Sequence, residues 1–278
     1  MEAQARWDHR GTVPEGLGEA IRGTAGDIAA LLRGAAGTSG PIPGSQWTVG
    51  EAAAHLALAN RLMAEIAAGH ERPYGDGTPQ SLAAANAESL DVFEERAAEP
   101  LAAMIVEQAE ALLDATAAHH TPSTATDGVL MTPLGPMNHA LLASYLLTHM
   151  LGHGYDLARA LGRPHMIDRT RVELCLPFLK SAMPRVADAA AVSGVTARYT
   201  LRLRGGPAFG VTFAGGAVEV SPELVDRPDC TVLTEPVAFL LMALGRQGPW
   251  QALARGHVLA WGRRPWLAPR FPALFIAP

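Results

Sequence analysis

Two histidines, His149 and His153, stand four residues apart in the stretch from Tyr145 to Asp156, and on a helix that spacing stacks two imidazoles on one face. This is the geometry of a metal clamp. Ten histidines scattered over 278 residues would give roughly 0.4 such pairs by chance, so the pair alone decides nothing. A third histidine, His55, lies in the stretch from Trp47 to Ala57, a separate amphipathic segment able to pack against the first. Two helices supplying one and two imidazoles would leave a divalent ion with an open coordination position, as a catalytic site requires and a structural site does not. The other histidines read as structural. His119 and His120 complement the negative end of a helix, and His139 and His257 have no partner at ligand spacing.

The elements that must position these side chains follow from periodicity. Helical spacing dominates the first two thirds of the chain, and short alternating runs begin near Val195, so a helical domain precedes an α+β domain. The pattern predicts a first helix over residues 16–34 and a second over 49–68. Thr48 would be the N-cap of the second, with Glu51 as its capping-box partner rather than a general base. A third is expected over 80–119 with a break near Pro100, then a loop over 121–136, and a fourth helix over 137–161 carrying His149 and His153. Four such helices make an antiparallel bundle, whose metal sites are built from side chains facing the centre. A fifth helix over 168–191, interrupted at Pro177 and Pro184, would bridge to three meandering strands, with Ala214-Gly-Gly216 as a tight turn. A fourth strand over 229–233, an apolar helix over 235–244, the segment 256–262 and a helical tail complete a small sheet with helices on one face.

Composition bounds the function classes. With 49% hydrophobic and 18% charged residues the chain has the apolar material for real cores. No run of eighteen or more apolar residues appears, and the N-terminus lacks the basic-then-apolar order of a secretory signal, so a soluble cytoplasmic protein without membrane insertion is expected. A net charge of −5 without a basic run argues against nucleic acid, because phosphate neutralisation needs clustered Lys and Arg. Cys175 and Cys230 lack metal-type neighbours and read as small buried hydrophobes.

The motif from Trp47 to Ala57, the Leu134-Gly-Pro segment and the run from His149 to Gly162 together resemble the mycothiol-dependent maleylpyruvate isomerase family. The last eighty residues are similar to the sterol-carrier-like domain often fused to it, through Asp229-Cys-Thr-Val, the helix ending Ala-Leu-Gly245-Arg and the run from Gly256 to Gly262. The resemblance implies a DinB-like metal-binding four-helix bundle over 1–165 and a bridging helix with a sterol-carrier-like α+β domain over 166–278. It implies a metal, zinc above all, on His55, His149 and His153, and mycothiol or a similar low-molecular-weight thiol as co-substrate. Those isomerases have a glutamate where this chain has His149. Three neutral imidazoles leave the full 2+ charge on the ion, so a stronger Lewis acid is expected, and maleylpyruvate is not the assured substrate.

On this reading the partners are a thiol and a small electrophile, and the protein is a monomer or homodimer. The reaction is thiol transfer or thiol-dependent isomerisation. The alternatives are a hydrolase or cyclising enzyme using metal-activated water, and a non-catalytic protein that binds a lipid or other apolar molecule. Arg61 and Asp156 are the candidate catalytic residues, with Asp156 as an orienter of an imidazole N–H. Asn86, in a helix resembling the family's asparagine-bearing segment, and Arg263 and Arg264, as carboxylate clamps beside Arg159, are the candidate binding residues.

Overall fold

The computed structural model describes residues 13–70, 72–76, 79–118 and 128–276, and His119 and His120 lie outside them. The chain forms two compact units, the first ending at Ile167 and the second beginning at Asp168.

In the first unit the helices are α1 (Leu17–Arg33), α2 (Val49–Ala67), α3 (Pro79–Val92), α4 (Ala98–Ala118) and α5 (His139–Ala160). Spacings of three and four residues put Leu17, Ile21, Ile28 and Leu32 of α1 on one stripe, and all four are fully buried. Each such burial contributes about 1.5–3 kcal/mol against its exposed state. α2 packs on α4, α4 on α1, α1 on α5 and α5 on α2, so the four long helices close a ring while α3 leans on α2. α2 is rich in alanine, and Ala52, Ala53, Ala54, Leu56 and Ala57 are all buried. Small side chains on several faces let three helices approach it closely.

The helix ends are set by local chemistry. At α2, Thr48 Oγ1 accepts from Glu51 N at 3.2 Å while Thr48 N donates to Glu51 Oε2 at 2.7 Å, the reciprocal pair expected from the sequence. At α5, Asn138 Oδ1 accepts from Leu141 N at 2.8 Å. The expected third helix is two helices, and the break falls at residues 93–97 rather than at Pro100. Pro100 lies in the first turn of α4, where a missing N–H costs nothing. Arg96 supplies the interruption by donating to the carbonyls of Leu90, Phe93 and Glu95. The expected loop before α5 contains a small hairpin, β1 (Leu130–Thr132) and β2 (Gly135–Met137), turned at Gly135 with φ 94°. Its buried ends Leu130 and Met137 anchor it.

The second unit opens with α6 (Arg169–Ala182), which runs through Pro177 and stops before Pro184. Burial of Val172, Cys175, Leu176, Phe178 and Leu179 on both sides of Pro177 outweighs the one hydrogen bond it removes. After the short α7 (Ala189–Val192) come β3 (Ala197–Leu203), β4 (Ala208–Ala214), β5 (Ala217–Ser221) and β6 (Cys230–Thr234). The helices α8 (Pro236–Ala243) and α9 (Pro249–Ala254) then precede β7 (Val258–Trp261). The sheet order is β5-β4-β3-β6-β7, antiparallel except for the parallel β3–β6 pair. Gly215 and Gly216, with φ 58° and 79°, make the tight turn between β4 and β5. Tyr199, Phe213 and Phe271 pack edge to face at 4.9–6.1 Å between ring centroids as the core. The expected helical tail is instead a pair of 3-10 segments, Pro265–Arg270 and Pro272–Leu274, because Pro265, Pro269 and Pro272 cannot donate to an α-helical ladder.

The cap of α2 yields a direct test. Thr48→Ala should lower the stability of the bundle by about 1–2 kcal/mol, read as a shifted urea midpoint with unchanged slope, and Glu51→Gln should cost less because its amide oxygen still accepts.

Candidate metal centre

His55 is the seventh residue of α2, and His149 and His153 are consecutive turns of α5 on the neighbouring helix. The ring centroids are 5.2 Å apart for His55 and His149, 4.8 Å for His55 and His153, and 4.6 Å for His149 and His153. One ring nitrogen from each lies within 4.8 Å of the others. His55 Nε2 and His149 Nε2 face each other at 3.2 Å. Two nitrogens bound tetrahedrally to one zinc ion at the usual bond length would be about 3.3 Å apart. The three side chains therefore fit a divalent ion by donor type and by separation.

Electrostatics favour the form that binds. His55 is buried, and desolvation of its charged form pushes its pKa down to about 4. At neutral pH it is thus a neutral ligand without a proton to displace. Asp156 Oδ2 lies 3.8 Å from His153 Nδ1, one turn further along α5, so a carboxylate faces the ring nitrogen on its side. Trp47, immediately before the cap of α2, is 4.8 Å from His55 and 6.1 Å from His153 between ring centroids. Its indole walls one side of the cluster. Tyr145, one turn before His149, meets that ring edge-on at 6.2 Å. Burial, then the nearby Tyr74, push its hydroxyl up to about 12, which keeps the phenol neutral. Tyr74 donates to Asn86 Oδ1 at 2.7 Å and accepts from Ser89 Oγ at 3.3 Å.

The structure separates the remaining sequence candidates. Arg61 is exposed on α2 six residues beyond His55, about 240° round the helix from it, so it does not share the face that carries the imidazole. Arg263 and Arg264 belong to the second unit and have partners there. Arg263 Nη2 donates to Asp229 Oδ1 at 2.6 Å, and Arg264 Nη1 donates to the Thr196 carbonyl at 3.3 Å. Arg159 stacks over the Tyr155 ring at 5.7 Å. Asn86 meets Tyr74 rather than an imidazole. Glu51 is occupied by Thr48, whose backbone N–H and hydroxyl hold its carboxyl below the usual range. His139 Nε2 lies 3.0 Å from the Ala67 carbonyl in the core, a structural role. Trp47, Tyr145 and Tyr74 were not singled out from sequence for a role at the site. The four-residue spacing to His149 could have found Tyr145, whereas Tyr74 sits in a loop with no periodic signal.

A helical bundle with a three-histidine donor set, followed by a small sterol-carrier-like α+β unit, defines the class. The chain matches the mycothiol maleylpyruvate isomerase N-terminal domain over residues 19–158 and the SCP-2 sterol transfer family over 179–262. It belongs to the mycothiol maleylpyruvate isomerase family. Among solved structures it is similar to a histidine-to-alanine variant of the mycothiol-dependent maleylpyruvate isomerase at 14% identity and TM-score 0.50, covering 88% of this chain and 92% of that one. The unsubstituted isomerase matches at 16% identity, TM-score 0.49 and the same coverage. A UbiJ-SCP2 ubiquinone synthesis protein matches at 20% identity and TM-score 0.27, covering 31% of this chain and 75% of that one. No curated protein matches. Among the described residues no helix is long and apolar enough to cross a membrane.

The buried imidazole makes the metal-free protein acid-sensitive. His55 has a folded pKa of about 4 against 6.5 in a model peptide, so the unfolded chain binds the extra proton between these values. Its contribution is complete above pH 6.5 and is lost as pH falls to 4. In chelator-treated protein, His55→Leu should flatten the fall of the urea midpoint over that window, removing up to about 1.4 kcal/mol per pH unit. Parallel curves for the two proteins would reject the burial argument.

Proposed function

We propose that this protein is a metal-dependent enzyme that uses a mycothiol-like thiol on a small electron-poor substrate, either isomerising it or transferring the thiol to it. The convergence of His55, His149 and His153, with one donor atom each inside 4.8 Å, carries this reading. Membership of the family supports the thiol. A divalent ion on these three imidazoles, zinc by donor preference, supplies Lewis acidity that lowers the pKa of a thiol and holds it as thiolate near neutral pH.

The chain's own residues do the remaining work. His55 offers a neutral nitrogen because its burial disfavours protonation. The Asp156 carboxylate, 3.8 Å from His153 Nδ1, would favour one orientation of that ring if an ion were held. The Trp47 indole covers one side of the histidines and reduces access of water. Tyr145 keeps its proton and so adds no negative charge beside His149. His149 sets the charge. A histidine where the resemblance implies a glutamate in the isomerases would leave one more unit of positive charge on a bound ion.

Purified protein should carry close to one equivalent of a divalent ion, and His149→Ala combined with His153→Ala should lose most of it without loss of helical content. Metal retained at full stoichiometry in a His55→Ala, His149→Ala protein would sink the assignment. An assay with the thiol omitted separates this reading from hydrolysis, which would continue without it.

In cobalt-substituted protein the thiolate-to-cobalt absorption should appear with rising pH at a lower value in the wild type than in His149→Glu. An acidic displacement in the variant would overturn the role given to His149.

A further inference from the structure

Apolar surface in the second unit is concentrated on neighbouring elements. Trp250 of α9 is 71% exposed, Leu259 and Trp261 of β7 are 50% and 48% exposed, and Trp266 of the following 3-10 segment is 58% exposed. α9, β7 and that segment pack on one another in all three pairings, so the side chains belong to one region. Leu259 and Trp261 are two residues apart on a strand and project from the same side of it. β7 is an edge strand of the sheet formed by the described residues. Three tryptophans with such exposure in one region are costly in water and need an occupant.

Charge identifies the occupant. From Pro236 to Pro278 the sequence holds Arg246, Arg255, Arg263, Arg264 and Arg270 and neither aspartate nor glutamate, in a chain of net charge −5. Asp229 enters the region from β6 and neutralises Arg263 at 2.6 Å. Arg255 and Arg270 are exposed, and Arg264 is exposed apart from one bond to a backbone carbonyl. Screening confines exposed charges to about 8 Å at physiological salt, so this region presents its own positive sign and not the negative sign of the whole. A two-fold contact between copies of the chain would set arginines against arginines. A bilayer surface of anionic lipid instead takes both features, because indoles settle at the headgroup level and arginines meet the phosphates.

We propose that the α9–β7 region of the second unit is a peripheral docking surface for anionic membranes, with Trp250, Trp261 and Trp266 as interfacial anchors and Arg255 and Arg270 as headgroup contacts. Docking is superficial, since no described helix can span a bilayer. The proposal is independent of the histidine cluster.

Full-length protein is sedimented with vesicles of phosphatidylcholine alone and with about 30% phosphatidylglycerol added, at low and at physiological salt. Binding to the anionic vesicles is expected, with a blue shift of tryptophan emission and a fall as salt rises. Arg255→Glu with Arg270→Glu should weaken partitioning at least about tenfold, and Trp250→Ser with Trp261→Ser should remove most of the blue shift, leaving that of Trp266, while circular dichroism stays unchanged. His55→Ala should bind as the wild type does, which separates docking from the metal site. Absence of binding at low salt, equal binding to neutral vesicles, or partitioning unmoved by both double variants would each overturn the proposal. So would loss of self-association in the tryptophan variant, which would make the surface an interface between copies.

Discussion

Three imidazoles can share one small volume only if α2 and α5 run side by side at a fixed register, and the first unit is organised around that requirement. One turn of slippage would move His55 by about 5.4 Å, more than the whole span of the donor set. The register is held by packing. Ala52, Ala53, Ala54 and Ala57 let neighbouring helices approach α2, and Leu142, Leu146, Leu147, Met150 and Leu151 fill the buried side of α5. Close approach has a second effect, because it removes the water that would otherwise stabilise a charged His55. The closeness of the three rings and the neutrality of His55 are thus one consequence of the same packing.

The start of α2 links that packing to the wall of the site. Thr48 and Glu51 fix where the helix begins, and so fix the direction from which the preceding residue arrives. Trp47 is that residue. Ile42 N donates to its carbonyl at 2.8 Å, which ties the loop back on itself and leaves the indole against His55. A capping box that reads as a stability device in the sequence therefore also aims an aromatic ring.

Legibility of the chain followed the strength of local signals. α1 and α2 were readable because Gly16, Thr48 and Gly34 punctuate clear apolar stripes, and the β4–β5 turn because Gly-Gly permits positive φ. The α3–α4 break is not legible from spacing, because Pro100 is the conspicuous residue whereas the cause is Arg96 folding back on carbonyls. Pro177 misled in the opposite sense, since burial on both sides of it overrode a local rule. At the site, the four-residue spacing on α5 and one histidine on α2 sufficed to name the cluster that the structure brings together. The arginines were beyond reach because a guanidinium's partner is a tertiary fact. Arg263 answers to Asp229, thirty-four residues away.

On the proposed reading, Asp156 bears on the charge that His149 leaves uncompensated. The resemblance read from the sequence implies a carboxylate in the isomerases at the position of His149, where it would cancel part of an ion's charge directly. Here the carboxylate stands behind His153 instead, 3.8 Å from Nδ1. A carboxylate on that side of the imidazole would make the opposite nitrogen a better donor and return some negative charge to an ion held there. The return would be partial, because the charge remains one residue removed from the site. A site of this design keeps more positive charge where a thiol would bind while still holding its third ligand in one orientation. Tyr145 fits the same logic, since a phenol that stays protonated adds hydrogen-bonding capacity without adding negative charge beside the histidines.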